Sequence, residues 1–519
     1  MGIYFNPGNG SFTEDKNSQI YVDKTELLKF LNKRLKTNGK CIAVSHARRF
    51  GKSHAAGMID AYYSLGSDSS KLFENTKIAS DPDYEKYRNK YNVIHLDISS
   101  VWDYHKEDLI ESIEERVCED FQKIYGDLLN YRRDFYLLIQ DIYSLTGIPF
   151  VIIIDEWDCV IRNSHDQALV HKYLQFLHSL FKSEESKSFL ALGYITGILP
   201  IKKIKDESAL NNFQEYTMLD SYPITEYYGF TEKEVKDLCK DYSMDFETVK
   251  AWYNGYLIDG EHMYNPNSVS QALERHKIDS YWRNTSAFDT INTFITMNYA
   301  GLKDDVMKML TGGKVRINTN TFQNDFSIIT SKDDALTALI HLGYLGYDAD
   351  RKKSFIPNYE VATAFELALQ TGSWKEIAES ISKCDELLDE TIDGNAERVA
   401  ELIELAHETY TSILKYNDEN ALSCVLTMAY FTAPAYYNVI REMPSGKGFA
   451  DFVFLPRANA GNRPAMIIEL KYNQSAETAL KQIKEKRYQG ALSGYQGKIL
   501  LVGINYDSEK HHTCMIEEL

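Results

Sequence analysis

CIAVSHARRFGKS (41–53) and FVIIIDEWD (150–158) carry the fold of this 519-residue chain. Each begins as a short apolar run and breaks into a polar turn. Continuous apolar runs of this length are expected of strands buried on both faces of a parallel sheet. After Ser53 the pattern turns helical as far as Leu65, so the first segment reads strand, turn, helix. Two further strands are predicted at NVIHLDI (92–98) and FLALGYIT (189–196), with helices over 20–35, about 106–145 and 167–183. Strands alternating with helices imply a parallel α/β sheet covered by helices. This region is assigned to residues 1–225.

The turn of the first segment runs Ser45-His46-Ala47-Arg48-Arg49-Phe50-Gly51-Lys52-Ser53 and ends on the GK[ST] of a P-loop. Gly51 lets the backbone approach phosphates. Lys52 can reach the β- and γ-phosphates, and the Ser53 hydroxyl can ligate Mg²⁺. The N-terminus of the following helix adds a partial positive charge. His46 stands where a full P-loop has glycine. Arg48 and Arg49 read either as contacts to nucleotide or a neighbouring subunit, or as solvated arginines. The second segment ends on Asp155-Glu156, a Walker B pattern. Asp155 would hold Mg²⁺ through water and Glu156 would polarise the attacking water. The plain alternative is a pair of surface acids after a buried strand. Thr196 sits where an additional-strand ATPase places a polar sensor for the γ-phosphate, and a strand-end cap reads equally well. ATP and Mg²⁺ are the expected cofactors, with Arg49, Phe50, Gly51, Lys52, Ser53, Asp155 and Thr196 around the nucleotide.

From about 225 the texture changes. Residues 226–415 read as a helical middle region: helices over 231–256, 288–310 and 376–415, with a hairpin near GYLGYD (343–348) and FIPNYEV (355–361). After 416 a helix (419–433) precedes three strands, YYNVIRE, GFADFVFLP and AMIIELKY, then a helix over about 475–488 and a strand, KILLVGINY (498–506). The order of this 416–519 region is α-β-β-β-α-β. Asp451 lies in one strand, and Glu469 and Lys471 lie two apart in the next, hence on one side of it. Acids and a lysine inside otherwise apolar strands cost desolvation energy unless they pair or bind metal. Asp451 and Glu469 suit oxygen ligation of a hard cation, and Lys471 suits a role toward water or a phosphate. Lys481, Lys484, Lys486 and Arg487 could face phosphates or form a solvated helix face. His511 and His512 are expected to be a surface pair.

YVDKTELLKFL (21–31), SHARRFGKS (45–53), VIIIDEWD (151–158), WYNGY (252–256) and YNPNSV (264–269) together resemble the prokaryotic AAA-ATPase-like family. The resemblance implies nucleotide binding through Lys52, Ser53 and Asp155, in a loop whose first glycine is commonly absent. Asp23 and Lys24 match a family motif of unclear role, with helix capping by Asp23 the simplest reading. The C-terminal region resembles the PD-(D/E)XK nuclease superfamily, a restriction-endonuclease-like α/β fold. That implies Mg²⁺-dependent action on nucleic acid, DNA or RNA, by Asp451, Glu469 and Lys471. It adds Glu419 on the first helix and Gln482 on the later one.

Composition limits the alternatives. The net charge is −18, so the whole chain is not a basic nucleic-acid binder, although residues 441–519 carry a net of +2. No stretch of 18 apolar residues occurs and MGIYFNPGNG lacks a signal-peptide pattern, so a cytoplasmic protein with no membrane partner is expected. The seven scattered cysteines contain no CxxC pair and argue against a zinc site or a disulfide framework. Related P-loop ATPases often act as homo-oligomers. The rival to an ATPase coupled to a nuclease is a nucleotide-dependent switch or scaffold that binds a protein partner and carries an inactive nuclease fold, motivated by the acidic charge and His46.

Overall fold

All four apolar runs of the first region become strands of one parallel sheet in the computed structural model. β1 (Cys41–Ser45), β2 (Asn92–Asp97), β3 (Phe150–Asp155) and β4 (Leu190–Gly197) are joined by β5 (Gln214–Thr217) in the order β2-β3-β4-β1-β5. Every pairing is parallel. β4 therefore lies between the strand that feeds the P-loop and the strand that ends on Asp155. The structure describes residues 2–519 apart from 127–133, 165, 202–209, 283–290, 295, 298, 311, 324–328, 372–382, 415–424, 428, 431, 446–447, 458–461, 487–491, 493–494, 496 and 509–510.

Strand alternation divides the apolar side chains between the two faces of the sheet. Ile42, Val44, Val151, Ile153 and Tyr194 join one core with α1 (Glu26–Asn32) and α2 (Lys52–Tyr63). Cys41, Ala43, Ile152 and Ile154 join another with α3 (Leu109–Tyr125), α4 (Phe135–Thr146), α5 (Cys159–Asn163) and α6 (Gln167–Phe181). Burying each of the valine and isoleucine side chains is worth about 1.5–3 kcal/mol. The continuous apolar runs are thus explained by helices on both faces. α1 starts later than its periodicity predicts, at Glu26. Asp23 accepts the backbone N–H groups of Thr25 (2.9 Å) and Lys77 (2.7 Å), and Lys24 pairs with Glu234 at 2.6 Å. These bonds hold Asp23 and Lys24 outside the helix.

The chain folds as two compact units. The first comprises Met1–Met244, Tyr253–Lys277 and Arg316–Pro357, and the second Asp245–Trp252, Ile278–Val315 and Asn358–Leu519. Residues 226–415 contribute to both. In the first unit, β6 (Phe230–Thr231), β7 (Tyr256–Ile258) and β8 (Glu261–Tyr264) form a small antiparallel sheet beside α7 (Glu232–Asp241) and α8 (Pro266–Glu274). The helix expected over 231–256 is present in two pieces, Glu232–Asp241 and Phe246–Tyr253, interrupted where Ser243 has positive φ, and 256–264 is a hairpin turning at Asp259 and Gly260, both with positive φ. The hairpin predicted near 343–361 is present as β9 (Gly346–Asp348) and β10 (Lys353–Phe355), but its second strand stops at Phe355.

In the second unit, helices α9 (Tyr359–Thr371), α10 (Cys384–Ile392) and α11 (Ala396–Leu414) precede a five-stranded sheet. Its strands are β11 (Tyr437–Ser445), β12 (Gly448–Pro456), β13 (Ala465–Tyr472), β14 (Ile499–Tyr506) and β15 (His512–Glu518), in that spatial order. Only β13 and β14 pair in parallel, joined through α12 (Ala476–Glu485). α12 lies so close to the sheet that a Cβ on Gly503 would collide with the Ala476 carbonyl oxygen. The predicted strands and later helix are all present, and β15 is an addition. The expected helix over 419–433 falls largely outside the described residues. No helix among the described residues is long and apolar enough to cross a membrane.

Candidate functional sites

The turn after β1 is fixed from several sides. His46 is fully buried, its Nε2 lies 2.8 Å from Ser221 Oγ, and its ring packs against Tyr228. Burial, with the Lys52 charge assisting, pushes its pKa down to about 3, so it stays neutral. Phe50 is also fully buried, edge-on to Tyr256 with ring centroids 5.0 Å apart, and its carbonyl accepts the Gly229 N–H at 3.0 Å. Its side chain thus anchors the loop. Asn265 caps α8 and donates to the Arg48 carbonyl at 3.4 Å, which ties YNPNSV to SHARRFGKS. Gly51 has φ +84 and forms the cap of α2. A Cβ there would meet open space, so glycine answers to backbone conformation rather than crowding.

At the start of α2, Ser53 is exposed and Lys52 is buried. The Lys52 ammonium donates to the carbonyls of His46 (2.8 Å) and Ala47 (2.9 Å). Burial lowers its pKa, and the charges of Asp155, Glu156 and Asp158 act in the opposite sense. The turns after β1 and β3 thus bring Lys52 and these three acids together. Beside the loop lies a cavity of about 370 Å³, with Phe12, Met58 and Phe230 among its apolar walls and Arg49, Lys24 and Asn267 among its polar ones.

Asp155 is the last residue of β3. Its Oδ1 accepts the Thr196 hydroxyl and the Glu156 N–H (3.0 Å). Glu156 has φ +53, a left-handed conformation costing roughly 1–2 kcal/mol outside glycine. Its carboxylate is held by Arg162, with Oε2 2.8 Å from Nη2. The same guanidinium donates through Nε to Asp158 at 2.9 Å. Asp158 is completely buried and also accepts the N–H groups of Ile198 (3.2 Å) and Leu199 (3.0 Å). The Trp157 N–H donates to the Thr196 carbonyl at 2.9 Å, and a Cβ on Gly197 would sit 2.6 Å from the Trp157 ring. The turn after β3 and the end of β4 therefore form one close-packed cluster. Sequence reasoning did not single out Asp158 or Arg162, although their four-residue spacing, from the cap of α5 into the helix, was a signal.

In the second unit, β12 and β13 place Asp451 beside Glu469. Glu469 is buried, and its Oε1 accepts Lys471 Nζ at 3.1 Å and the Gln482 amide from α12. Asp451 Oδ2 accepts the Leu470 N–H at 2.7 Å. Burial first, and the Asp451 charge second, push the Glu469 pKa up to about 7, with Lys471 pulling the other way. Glu469 Oε2 is buried without a hydrogen-bond partner. A buried oxygen left open beside a second carboxylate is the donor set a hard cation would satisfy, so Mg²⁺ fits these residues. Among the described residues, no three His, Cys, Asp or Glu side chains gather around one point, and Glu419 lies outside the described residues. Lys481 and Lys484 point outward and pair with Glu485 (3.7 Å) and with Glu517. Arg487 also lies outside the described residues.

The expected surface pair at 511–512 is half corrected. His511 is exposed, but His512 is buried on β15, with its Nε2 2.9 Å from His407 Nδ1 and its ring stacked on Tyr506. His511 precedes the strand, whereas His512 is its first residue. The six described cysteines are free thiols.

Comparisons with known proteins match both regions. Residues 9–205 match the family model described as predicted AAA-ATPase, and residues 417–516 that of the PD-(D/E)XK nuclease superfamily. An uncharacterized protein in the vnfD 5′ region of Azotobacter chroococcum mcd 1 is 24% identical over 274 residues, 51% of this chain. The chain spans 50% of that relative's length. The Aeropyrum pernix ORC2 protein (ADPNP–ADP complexes) aligns at 9% identity and TM-score 0.33, over 71% of this chain and 98% of its own. The Aeropyrum pernix ORC1 protein in complex with DNA aligns at 11% identity and TM-score 0.28, over 72% and 98%.

Proposed function

We propose that this chain, in which an AAA-ATPase-like domain precedes a PD-(D/E)XK nuclease superfamily domain, hydrolyses ATP and cleaves nucleic acid. In this reading residues 1–225 are the ATPase domain, 226–415 a lid or middle region, and 416–519 the nuclease-like domain. ATP·Mg²⁺ lies at Gly51, Lys52, Ser53 and Asp155, with Glu156 orienting the attacking water and Thr196 facing the γ-phosphate. Phe50 and Arg49 shape the loop, and the adjacent cavity takes the base. The work is cytoplasmic, in a homo-oligomer if the chain behaves like other P-loop ATPases.

The observation that carries the nuclease half is Glu469. A carboxyl that is buried, next to Asp451 and left with one open oxygen is costly in a purely structural role. Mg²⁺ there would supply Lewis-acid stabilisation of the phosphate and an activated water. Lys471 would hold the water or meet the charge developing on the phosphate, and Gln482 would keep Glu469 oriented. The test is cleavage of single- and double-stranded DNA and of RNA with Mg²⁺ or Mn²⁺, with and without ATP. Metal-dependent cleavage that disappears in Glu469→Ala is expected. If ATP gates cutting, the ATP dependence disappears in Lys52→Ala.

The rival, an ATP-dependent switch with a nuclease fold that does not cut, draws on Lys52, whose ammonium is engaged by its own loop. No cleavage on any substrate, with ATP still hydrolysed, would favour it and sink the nuclease reading.

A further inference from the structure

Arg162 bridges two of the acids in the turn that follows β3. It is itself 8% exposed and is anchored on Asp158, which is completely buried. From there it extends Nη2 to Glu156, a residue already held in a left-handed backbone conformation. A carboxylate oxygen that accepts a charge-assisted hydrogen bond is less able to take a proton from water. The anchor is tied to the strand that carries Thr196. Asp158 bonds the backbone of Ile198 and Leu199, and Trp157 bonds the Thr196 carbonyl. Gly197 leaves no free space between that strand and the turn. A displacement at Thr196 therefore reaches Arg162 through Asp158, and reaches Glu156 through Arg162.

We infer that Arg162 is a positioning residue, a clasp that withholds Glu156 from water until a γ-phosphate engages Thr196 and shifts the end of β4. This rests on the reading of Glu156 as the residue that orients the attacking water. No covalent step is added to hydrolysis. The clasp sets how often the carboxylate is available.

The test is steady-state ATP hydrolysis by the full chain, with nucleotide binding measured alongside. Removing Arg162 alone would leave Asp158 buried and unmatched, so the main variant is the double substitution Asp158→Asn and Arg162→Met. The amide oxygen that replaces the Asp158 carboxylate would still accept the Ile198 and Leu199 N–H groups. Arg162→Lys is the conservative second variant, which retains a charge but not the two-pronged fork. The double variant is expected to raise kcat roughly tenfold, the worth of one released charge-assisted bond, with KM for ATP unchanged. Arg162→Lys should rise by less. A fall in kcat restored by Arg162→Lys would overturn the clasp and make Arg162 an aid to catalysis. Equal turnover in wild type and both variants would overturn the clasp alone. Bound ATP with no turnover in any of the three would remove both the clasp and the hydrolytic reading beneath it.

Discussion

The two acid sites differ in how they satisfy their carboxylates. In the first unit, Asp155 accepts Thr196 and Glu156 accepts Arg162, while Asp158, set behind them, takes Arg162 and two backbone N–H groups on Oδ2 and leaves its buried Oδ1 unbonded. Even the Lys52 ammonium is bonded to two carbonyls of its own loop. In the second unit, Glu469 has two donors on one oxygen and none on the other, with Asp451 adjacent. At the first site Asp155, Glu156 and Lys52 are already engaged by neighbouring groups, which a bound nucleotide would have to displace. The second keeps a buried carboxylate oxygen unbonded, which an added cation would satisfy. Chemistry that must wait for a ligand suits the first arrangement. A resident cation suits the second.

The sharpest way to break this contrast is Glu156→Gln. ATP hydrolysis should fall by about 10²–10⁴-fold in single-turnover assays while ATP binding persists. Undiminished hydrolysis would mean that the closed acids do not serve turnover. A smaller effect is expected at the open site. Gln482→Ala removes a donor that orients Glu469, and Mn²⁺ affinity measured by titration calorimetry should drop by about 10–100-fold. Unchanged affinity would place the cation elsewhere.

The smallest effect is one of pH. The Glu469 carboxyl, pushed up to about 7, has to lose its proton before it can hold a cation. Mn²⁺ affinity should therefore climb about fivefold from pH 6 to pH 7 and flatten above about pH 8. The stability sign follows from the same shift. Between the ordinary value of 4.5 and about 7 the folded protein binds more protons than the unfolded chain, so the metal-free protein loses stability as pH rises across that window. Glu469→Gln should abolish that slope in thermal melts. A slope that survives the substitution would assign it to another group.

What was legible in the sequence follows burial. β1, β3 and β4 stand out because both of their faces are covered, which forces apolar residues at every position. β5, Gln-Glu-Tyr-Thr, escaped because it is a short edge strand with one buried residue. The β7–β8 hairpin, just past an expected helix, was not assigned, although Asp259-Gly260 is the dipeptide such a turn requires. β15 was hidden by the charged and polar residues on its outer face, and His512 was misjudged with it. At the sites, spacing and strand parity were enough to suggest Lys52, Asp155, Asp451, Glu469 and Lys471 as partners. The clasp from Arg162 was not, because nothing in a linear pattern says which of several nearby charges a guanidinium will face.

The turn after β3 also carries its own optical label. Trp157 is completely buried between Asp155 and the end of β4, and its ring is the surface against which Gly197 packs. An indole in so dry a place emits at short wavelength, and any event that loosens the turn lets in water and moves that emission to the red. The chain has five tryptophans, so the spectrum that isolates this one is the difference between the protein and Trp157→Phe. Nucleotide arrival could then be followed in real time, with no dye attached, by the light of a residue two positions from the carboxylate expected to meet the metal.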